Sequence, residues 1–190
     1  MRSGTSLWQA RAHVTLRGKT RRLHKLLDGC FNASTLGERP EYVRFLLTNW
    51  PIAWIEPALT SAGIQRLLPD WQQRRRHFTL VADLKELGVC PGPPCNRVID
   101  ADTGTLLGWA YVLEGSRLGA RLIHQIVEAS GGPELLKATR FIQHGEKENY
   151  WKTFAGVLSQ IDRDESAIAN AASAAQTAFE CFLEAARLQR

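Results

Sequence analysis

A long predicted helix, running from about Asp100 or Asp102 to Ser130, carries glycine at four interior positions. These glycines are Gly104, Gly108, Gly115 and Gly119. Because each helical residue advances about 100°, their spacing places all four on one narrow stripe, together with Tyr111. An interior glycine destabilises a helix by about 1 kcal/mol relative to alanine, and a whole domain is stable by only about 5–15 kcal/mol. The stripe therefore indicates that bare backbone is needed here, either for a closely packed second helix or for a flat, rigid ligand.

Helical periodicity extends over nearly the whole chain, and no segment alternates apolar and polar residues as a strand does. A length of 190 residues with 44% hydrophobic content suits one compact domain with a core. We therefore predict a single-domain, multi-helical all-α fold over residues 1–190, with an ordered helical core over about 10–188 and about six to eight helices. Besides the glycine-rich helix, the predicted helical segments cover about 16–27, 40–62 (kinked or restarted at Pro51 and Pro57), 70–87, 146–161 and 164–188.

Hydropathy disfavours a membrane protein and a secreted protein. The longest apolar runs are far too short to span a bilayer. The residues after Met1 lack the apolar stretch of a secretory signal. We therefore expect a cytoplasmic protein without a membrane partner.

Positive charge is in excess and is concentrated in two places. The net charge is +5, with one cluster of arginine and lysine within residues 11–25 and another at Arg74-Arg75-Arg76. Such clusters attract nucleic acid, acidic proteins or anionic cofactors. We interpret the arginine triplet as a solvated helix face and expect no nucleic-acid partner. The cluster within residues 11–25 differs, because the spacing of its arginines from His24 indicates a binding role.

Two of the four cysteines, Cys90 and Cys95, bracket a Pro-Gly-Pro-Pro stretch. Three interpretations fit this spacing: two ligands of a metal site, a disulfide within the loop, or two reduced thiols. We favour reduced thiols, because a zinc site needs about four ligands and no second pair of cysteines or histidines stands at a matching spacing.

His24 differs from the other histidines in its neighbours. Arg21 and Arg17, three and seven residues earlier, lie on the same side of the predicted helix, one and two turns away. Asp28, four residues later, can reach the ring directly or through water, and a metal-bound imidazole usually donates its second N–H to such an oxygen. Haem needs these parts, namely an axial ligand and cations for two propionates. A basic amphipathic helix that merely carries a histidine is the alternative.

The other four histidines are expected to have structural roles. They are His13, expected at the surface before the first helix; His77, which is ambiguous; His124, on the opposite side of its helix from Gly115; and His144, in a turn.

Two segments resemble the bacterial haem (heme) oxygenase family, in particular its bacteriophytochrome-associated branch. The stretch Gly108-Trp-Ala-Tyr-Val-Leu-Glu-Gly115-Ser-Arg-Leu-Gly119 closely resembles the distal helix of that family. The stretch Leu16-Arg-Gly-Lys-Thr20-Arg-Arg-Leu-His24-Lys-Leu-Leu-Asp28 looks like its proximal helix. The order and separation of the two stretches also match, and the resemblance covers about residues 10–188.

The resemblance implies a haem oxygenase-like fold in which haem is sandwiched between the proximal and distal helices. His24 would be the proximal iron ligand, and Thr20, one turn before it, would lie near the porphyrin. Arg17 and Arg21 fall where the family places propionate-binding cations. The distal candidates are Tyr111 for cofactor binding, Gly115 and Gly119 for cofactor binding and catalysis, and Ser116 for catalysis.

The implied reaction is oxidative cleavage of haem b, both substrate and cofactor, to biliverdin, carbon monoxide and ferrous iron. It would use dioxygen and an electron donor such as ferredoxin or a reductase, and a bacteriophytochrome is a candidate acceptor of biliverdin. The chain departs from the family at Ser116, where animal enzymes carry aspartate, and at Ala120, where many relatives carry glycine. Lys147 and Lys152 are candidate propionate contacts near the C-terminus. A haem-binding carrier or sensor without turnover is therefore the alternative, and a basic helical interaction module is a third hypothesis.

Overall fold

The computed structural model describes residues 10–95 and 97–189, and all the regular structure in these ranges is helical, which confirms the all-α prediction. Three helices are long: α1 (Arg11–Asp28), α6 (Thr103–Ser130) and α10 (Glu165–Leu188). The shorter helices are α2 (Arg39–Thr48), α3 (Ile52–Ser61), α4 (Trp71–Arg74), α5 (His77–Glu86), α7 (Pro133–Leu136), α8 (Arg140–Gln143) and α9 (Tyr150–Leu158). Short 3₁₀ turns cover Ile64–Arg66 and Ser159–Ile161. The described ranges thus hold more helical segments than predicted, because three of them, α4, α7 and α8, are single turns of four residues.

Helix α10 forms the support on which α1 and α6 are placed. Both helices pack along it, and the face of α10 toward them is rich in buried alanine, including Ala171 and Ala175. Small side chains let helix axes approach closely, so two long helices can share this one support. The result is that α1 and α6 lie side by side on α10 and approach each other near Thr20 and Tyr111.

The first helix begins earlier than its apolar pattern predicts, because a distant residue caps it. The Asp162 carboxylate accepts hydrogen bonds from the backbone N–H groups of Arg11 and Ala12, at 3.1 and 2.8 Å. These are among the N–H groups that a helix start leaves without an internal partner. His13 therefore lies inside α1 and is buried, so the prediction of a surface histidine ahead of the helix is wrong.

The helix predicted over residues 70–87 is divided in two. Its chain leaves helical geometry at Arg75, with φ −65° and ψ 133°, and α5 begins two residues later at His77. The buried Glu56 carboxylate accepts the backbone N–H groups of Arg76 and His77 at 2.9–3.0 Å and so fixes the start of α5. A carboxylate at the N-terminus of a helix is also stabilised by the positive end of the helix dipole.

Several turn residues act as the sequence predicts. Pro40 lies in the first turn of α2, and Pro51 directly precedes α3, whereas Pro57 is accommodated within α3. Gly63, near which that element was predicted to end, has a positive φ of 86°, a conformation that favours glycine. No helix in the described ranges combines the length and the hydrophobicity needed to cross a membrane.

Candidate functional site

The His24 imidazole stands on α1 in contact with the predicted carboxylate. His24 Nδ1 lies 2.8 Å from Asp28 Oδ2, one turn further along the helix. The side chain is 62% exposed, and its ring packs edge-on against Phe179 of α10 at a centroid distance of 5.6 Å. Because Asp28 engages Nδ1, the second ring nitrogen, Nε2, is the one left to bind a metal ion, in an orientation set by the carboxylate.

Thr20 and Tyr111 join α1 to α6. Thr20 is buried one turn before His24, and its hydroxyl donates to the Leu16 carbonyl at 2.8 Å. Burial raises the pKa of Tyr111, while a hydrogen bond with Thr20 and the nearby charge of Arg17 act in the opposite direction. The phenol is therefore neutral at neutral pH, and it stands between the two helices that were predicted to enclose a ligand.

Arg17 and Arg21 are exposed on α1, on the side of His24. Neither guanidinium forms an ion pair with any residue in the ranges 10–95 and 97–189. Two unpaired guanidiniums beside a histidine can bind a ligand that carries carboxylates, because arginine pairs with such groups through two parallel hydrogen bonds.

The glycine stripe of α6 is divided into two halves with different surroundings. A Cβ at Gly104 would overlap the carbonyl oxygen of Ala167, and a Cβ at Gly108 would overlap that of Ala171, so this half packs against α10. A Cβ at Gly115 would make an ordinary contact of 3.5 Å with the Trp151 ring, and one at Gly119 would meet nothing within 4 Å. Close helix packing therefore explains the first half. No backbone packs against the second, which we call the open half: the Trp151 ring lies in front of Gly115, and open space lies in front of Gly119.

Exposed leucines continue the open half of the stripe. Leu118 and Leu122 are 41% and 59% exposed and lie on the same face of α6 as Gly115 and Gly119. The surface is thus apolar and has no side chain projecting from its two glycines. A flat, apolar ring system with carboxylates at its edge matches the residues present, since α6 offers a bare apolar wall while α1 offers an imidazole and unpaired arginines.

An aromatic cluster adjoins this wall, and the sequence did not reveal it as part of the site. The His13 ring lies 6.2 Å from the Tyr111 ring and 5.9 Å from the Trp151 ring, and Tyr111 and Trp151 are 5.7 Å apart. His13 and Trp151 belong to α1 and α9, so the cluster connects three helices beside Gly115. A helical wheel of α1 could have indicated that His13 belongs to the site, because His13 and His24 are eleven residues apart and fall on nearly the same side of the helix.

Ser116 follows the first open glycine and has both a donor and an acceptor as neighbours. Its hydroxyl donates to the Leu113 carbonyl at 2.8 Å. The same hydroxyl accepts a hydrogen bond from Nη2 of Arg76, which also donates to the Leu113 carbonyl at 3.2 Å. Ser116 is therefore tied to the chain segment before α5.

The arginine triplet is not the solvated helix face that the sequence predicted. Arg74 and Arg76 are only 1% and 2% exposed, because they extend behind α6 toward buried partners. Arg74 and Arg117 each approach Glu114 Oε2 at 3.1 Å, and Glu114 is itself fully buried. The side chains of Arg74 and Arg76 thus point into the interior, where Arg74 pairs with Glu114, forty residues later, as well as with Asp70 one turn earlier.

His144 lies beside Arg117 and stays neutral at neutral pH. Its Nδ1 is 3.0 Å from Nη1 of Arg117 and accepts that hydrogen bond. Burial lowers the pKa of His144 to about 4, and the charges of Arg117 and Arg76 act in the same direction. The expected turn location is found, since His144 ends α8 and precedes Gly145 with φ 74°.

In the described part of the chain, the remaining histidines and the cysteines form no cluster of metal ligands. His77 is buried, with Nδ1 at 2.7 Å from Glu56, and His124 contacts Gln143 at 2.9 Å on a side of α6 away from the glycines. The four cysteines are free thiols. Within residues 10–95 and 97–189, no group of three histidine, cysteine or acidic side chains is arranged to hold a metal ion.

Comparison with known proteins gives one consistent answer. The heme oxygenase family model matches residues 62–187, which include α6 with both open glycines. The chain belongs to the haem oxygenase family. Because the matched range begins after α1, the family match does not itself include His24.

Two curated relatives support the family assignment. Heme oxygenase PigA of Pseudomonas aeruginosa is 30% identical over 148 residues, which are 76% of this chain and 75% of that protein. A heme oxygenase of Xanthomonas campestris is 32% identical over 136 residues, 69% of this chain and 79% of that protein. Haem is accordingly the substrate and cofactor of this family.

A solved structure shows the same fold. The NO- and CO-bound haem oxygenase of Neisseria meningitidis superposes with a TM-score of 0.71 and 21% identity, covering 92% of this chain and 89% of that one. The all-α fold predicted from the sequence is therefore that of a haem oxygenase.

Proposed function

We propose that this chain cleaves haem b oxidatively to biliverdin, carbon monoxide and ferrous iron at the surface between α1 and the open half of the α6 stripe. One observation carries the proposal: the two glycines of the open half, against which no helix backbone packs, stand on the helix that approaches the histidine-bearing helix, beside exposed leucines. Bound haem supplies both the iron that activates dioxygen and the porphyrin that is opened.

The proximal residues position the substrate. His24 binds the iron through Nε2. Asp28 Oδ2, 2.8 Å from His24 Nδ1, accepts a hydrogen bond from the Nδ1–H group and keeps the imidazole in one orientation. Arg17 and Arg21 bind the propionates and so fix the rotation of the ring in its plane, which decides the meso carbon that is attacked. Thr20 and Tyr111 hold the two helices together beside the ring.

The distal residues leave room and provide polar groups. Gly115 and Gly119 keep side chains away from the reacting face, so that a small ligand can lean toward the porphyrin edge. The Ser116 hydroxyl, anchored on the Leu113 carbonyl, provides a hydrogen-bonding position next to Gly115.

Partners and location follow as part of the same proposal. An acidic electron donor such as ferredoxin, or a reductase, would dock near the basic surface of α1, where exposed cations attract it. A bacteriophytochrome is the proposed acceptor of biliverdin, and the cytoplasm is the proposed location.

Turnover tests the proposal directly. Purified protein with one equivalent of haem, dioxygen and either ferredoxin with its reductase or ascorbate is expected to lose the Soret band and to yield a biliverdin spectrum. Stable oxygenated haem with no verdin in every reducing system would instead identify a carrier or sensor, the alternative favoured by Ser116 in place of an acidic residue. The absence of any Soret shift on titration would contradict both.

A further inference from the structure

The thiol of Cys181 lies on α10 beside the loop that leads into the distal helix, residues 87–102. Cys181 is only 8% exposed. Arg97 of the loop donates a hydrogen bond from Nη1 to Cys181 Sγ at 3.9 Å. The same guanidinium lies 5.7 Å from the centre of the Trp54 ring, which holds it between α3 and α10. A cation beside a cysteine favours the thiolate, which is the reactive form of the side chain.

Cys95 belongs to the same loop, two residues before Arg97, and is exposed. Two residues span at most about 7 Å of chain, so the contact of Arg97 also brings Cys95 to this part of α10. Burial raises the pKa of Cys181, the charge of Arg97 lowers it, and the negative charge of Cys95 raises it further. The two thiols therefore lie within electrostatic reach of each other and share one cation.

Cys90, the other cysteine of the loop, is held away from Cys95. Residues 89–95 contain neither a turn nor a sharp bend, and the three prolines between the two cysteines favour an extended chain. An extended proline-rich chain rises about 3.1 Å per residue, which separates the two α-carbons by about 15 Å. A disulfide needs α-carbons within about 7 Å, so a bond between Cys90 and Cys95 does not fit this loop.

The end of the loop is already attached to α10. Asp102 Oδ1 caps α6 by accepting the backbone N–H of Thr105 at 3.0 Å, and it also accepts a hydrogen bond from Asn170 Nδ2 of α10 at 3.2 Å. Asn170 and Cys181 are eleven residues apart, which is about 16 Å along a helix axis. A bond from Cys95 to Cys181 would thus give the loop a second, distant attachment to the helix that supports α6.

We propose that Cys95 and Cys181 are a peroxide-sensitive thiol pair whose disulfide ties the loop to α10 reversibly. The exposed Cys95 thiolate attacks hydrogen peroxide, the O–O bond breaks, and a sulfenic acid and one water result. The Cys181 thiolate, stabilised by Arg97, then attacks the Cys95 sulfur, so that the S–S bond forms, the S–O bond breaks and a second water leaves. The two thiols lose the two electrons that the peroxide gains. This inference goes beyond the proposed cleavage of haem and needs no haem.

The test treats the reduced apoprotein with a small excess of hydrogen peroxide and blocks the remaining thiols with iodoacetamide. Mass spectrometry without reduction is expected to find one peptide pair, joined through Cys95 and Cys181, which dithiothreitol separates. Because the bond closes a loop of more than eighty residues, the oxidised protein is expected to unfold about 5–15 °C above the reduced protein.

Matched variants assign each thiol. Cys90→Ser retains both proposed partners and is expected to oxidise as the wild type does. Cys95→Ser and Cys181→Ala are each expected to lose the cross-link and the rise in Tm. Since Cys95 is exposed, Cys95→Ser serves as the test if Cys181→Ala does not fold. In Arg97→Gln the second step loses its cation, so dimedone, a reagent for sulfenic acids, is expected to label several-fold more Cys95 than in the wild type.

Three products would each overturn the inference: a bond between Cys90 and Cys95, a disulfide between two chains, or Cys95 oxidised to a sulfinic acid with Cys181 still reduced. Equal dimedone labelling of Arg97→Gln and the wild type would refute the role of Arg97. Because the apoprotein is used, these results are independent of turnover. A chain that forms this disulfide but opens no haem would refute the proposed function alone.

Discussion

The divided glycine stripe predicts that alanine has opposite effects at two positions of the same helix. Gly119→Ala places a methyl group where nothing lies within 4 Å, whereas Gly108→Ala places one against the backbone of α10. The first substitution is expected to stabilise the apoprotein and to impair the reaction. The second is expected to destabilise the fold and to leave the chemistry of the remaining folded protein unchanged.

The magnitudes follow from helix propensity and packing. Alanine in place of an interior helical glycine contributes about 0.8–1 kcal/mol to the free energy of unfolding, and at Gly119 no steric cost opposes it. For a chain of this size, 1 kcal/mol raises Tm by about 2–4 °C. At Gly108 the Cβ would overlap both the Ala171 carbonyl and the Ala174 methyl group, and overpacking of this kind costs about 1–3 kcal/mol or more. The net effect there is a loss of stability.

Calorimetry of the apoproteins and haem titration provide the two measurements. We expect Gly119→Ala to unfold at a higher temperature than the wild type, with weaker haem binding or a changed yield of verdin. Gly115→Ala, whose Cβ would make an ordinary contact of 3.5 Å with Trp151, is expected to raise Tm by a similar amount. If Gly119→Ala lowers Tm, or if it binds and opens haem as the wild type does, the open half of the stripe is not the distal wall.

Three further predictions concern other residues. Arg17→Ala and Arg21→Ala are each expected to weaken haem binding about ten- to a hundredfold or to redirect cleavage to another meso carbon, since each removes a charge-assisted hydrogen bond worth about 1.5–3 kcal/mol. Haem titration and chromatography of the verdin isomers measure these effects, and unchanged affinity with unchanged isomers would mean that both arginines merely face solvent. Glu56→Gln leaves buried donors with fewer acceptors and is expected to lower the free energy of unfolding in urea by about 1–3 kcal/mol; a change below about 0.5 kcal/mol would argue against the cap on α5. The pKa of His144 is lowered to about 4 from 6.5, so the folded state binds fewer protons than the unfolded state between these values; stability is expected to rise with pH across this window, with a smaller slope in His144→Gln. Equal slopes in the two proteins would contradict this assignment.

Local patterns in the sequence predict most of the fold and part of the geometry of the candidate site. The 100° helical step places the glycines on one stripe, and the i, i+4 spacing brings Asp28 to His24. The same step cannot say which glycines meet a neighbouring helix, because that depends on α10, whose Ala167 and Ala171 are more than fifty residues away in sequence. The close-packing interpretation is therefore confirmed for the first half, and the ligand interpretation stays a prediction for the second.

Long-range partners explain the predictions that were wrong. The start of α1 depends on Asp162, about 150 residues later, so His13 could not be placed in the helix from its own surroundings. The prediction that the arginine triplet is a solvated face is wrong because its partners lie on other elements: Glu114 of α6 pairs with Arg74, and Glu56 of α3 accepts the backbone N–H of Arg76. Capping and ion pairing across the fold, rather than propensity, decide these positions.

In the proposed function, His24 binds the haem iron opposite the open half of the α6 stripe. Resonance Raman spectroscopy of the ferrous haem complex reports on this bond. The wild type is expected to show an iron–histidine stretching band that His24→Ala loses and that added imidazole restores in the variant. An undiminished band in His24→Ala without imidazole would contradict the claim, because another residue would then be the axial ligand.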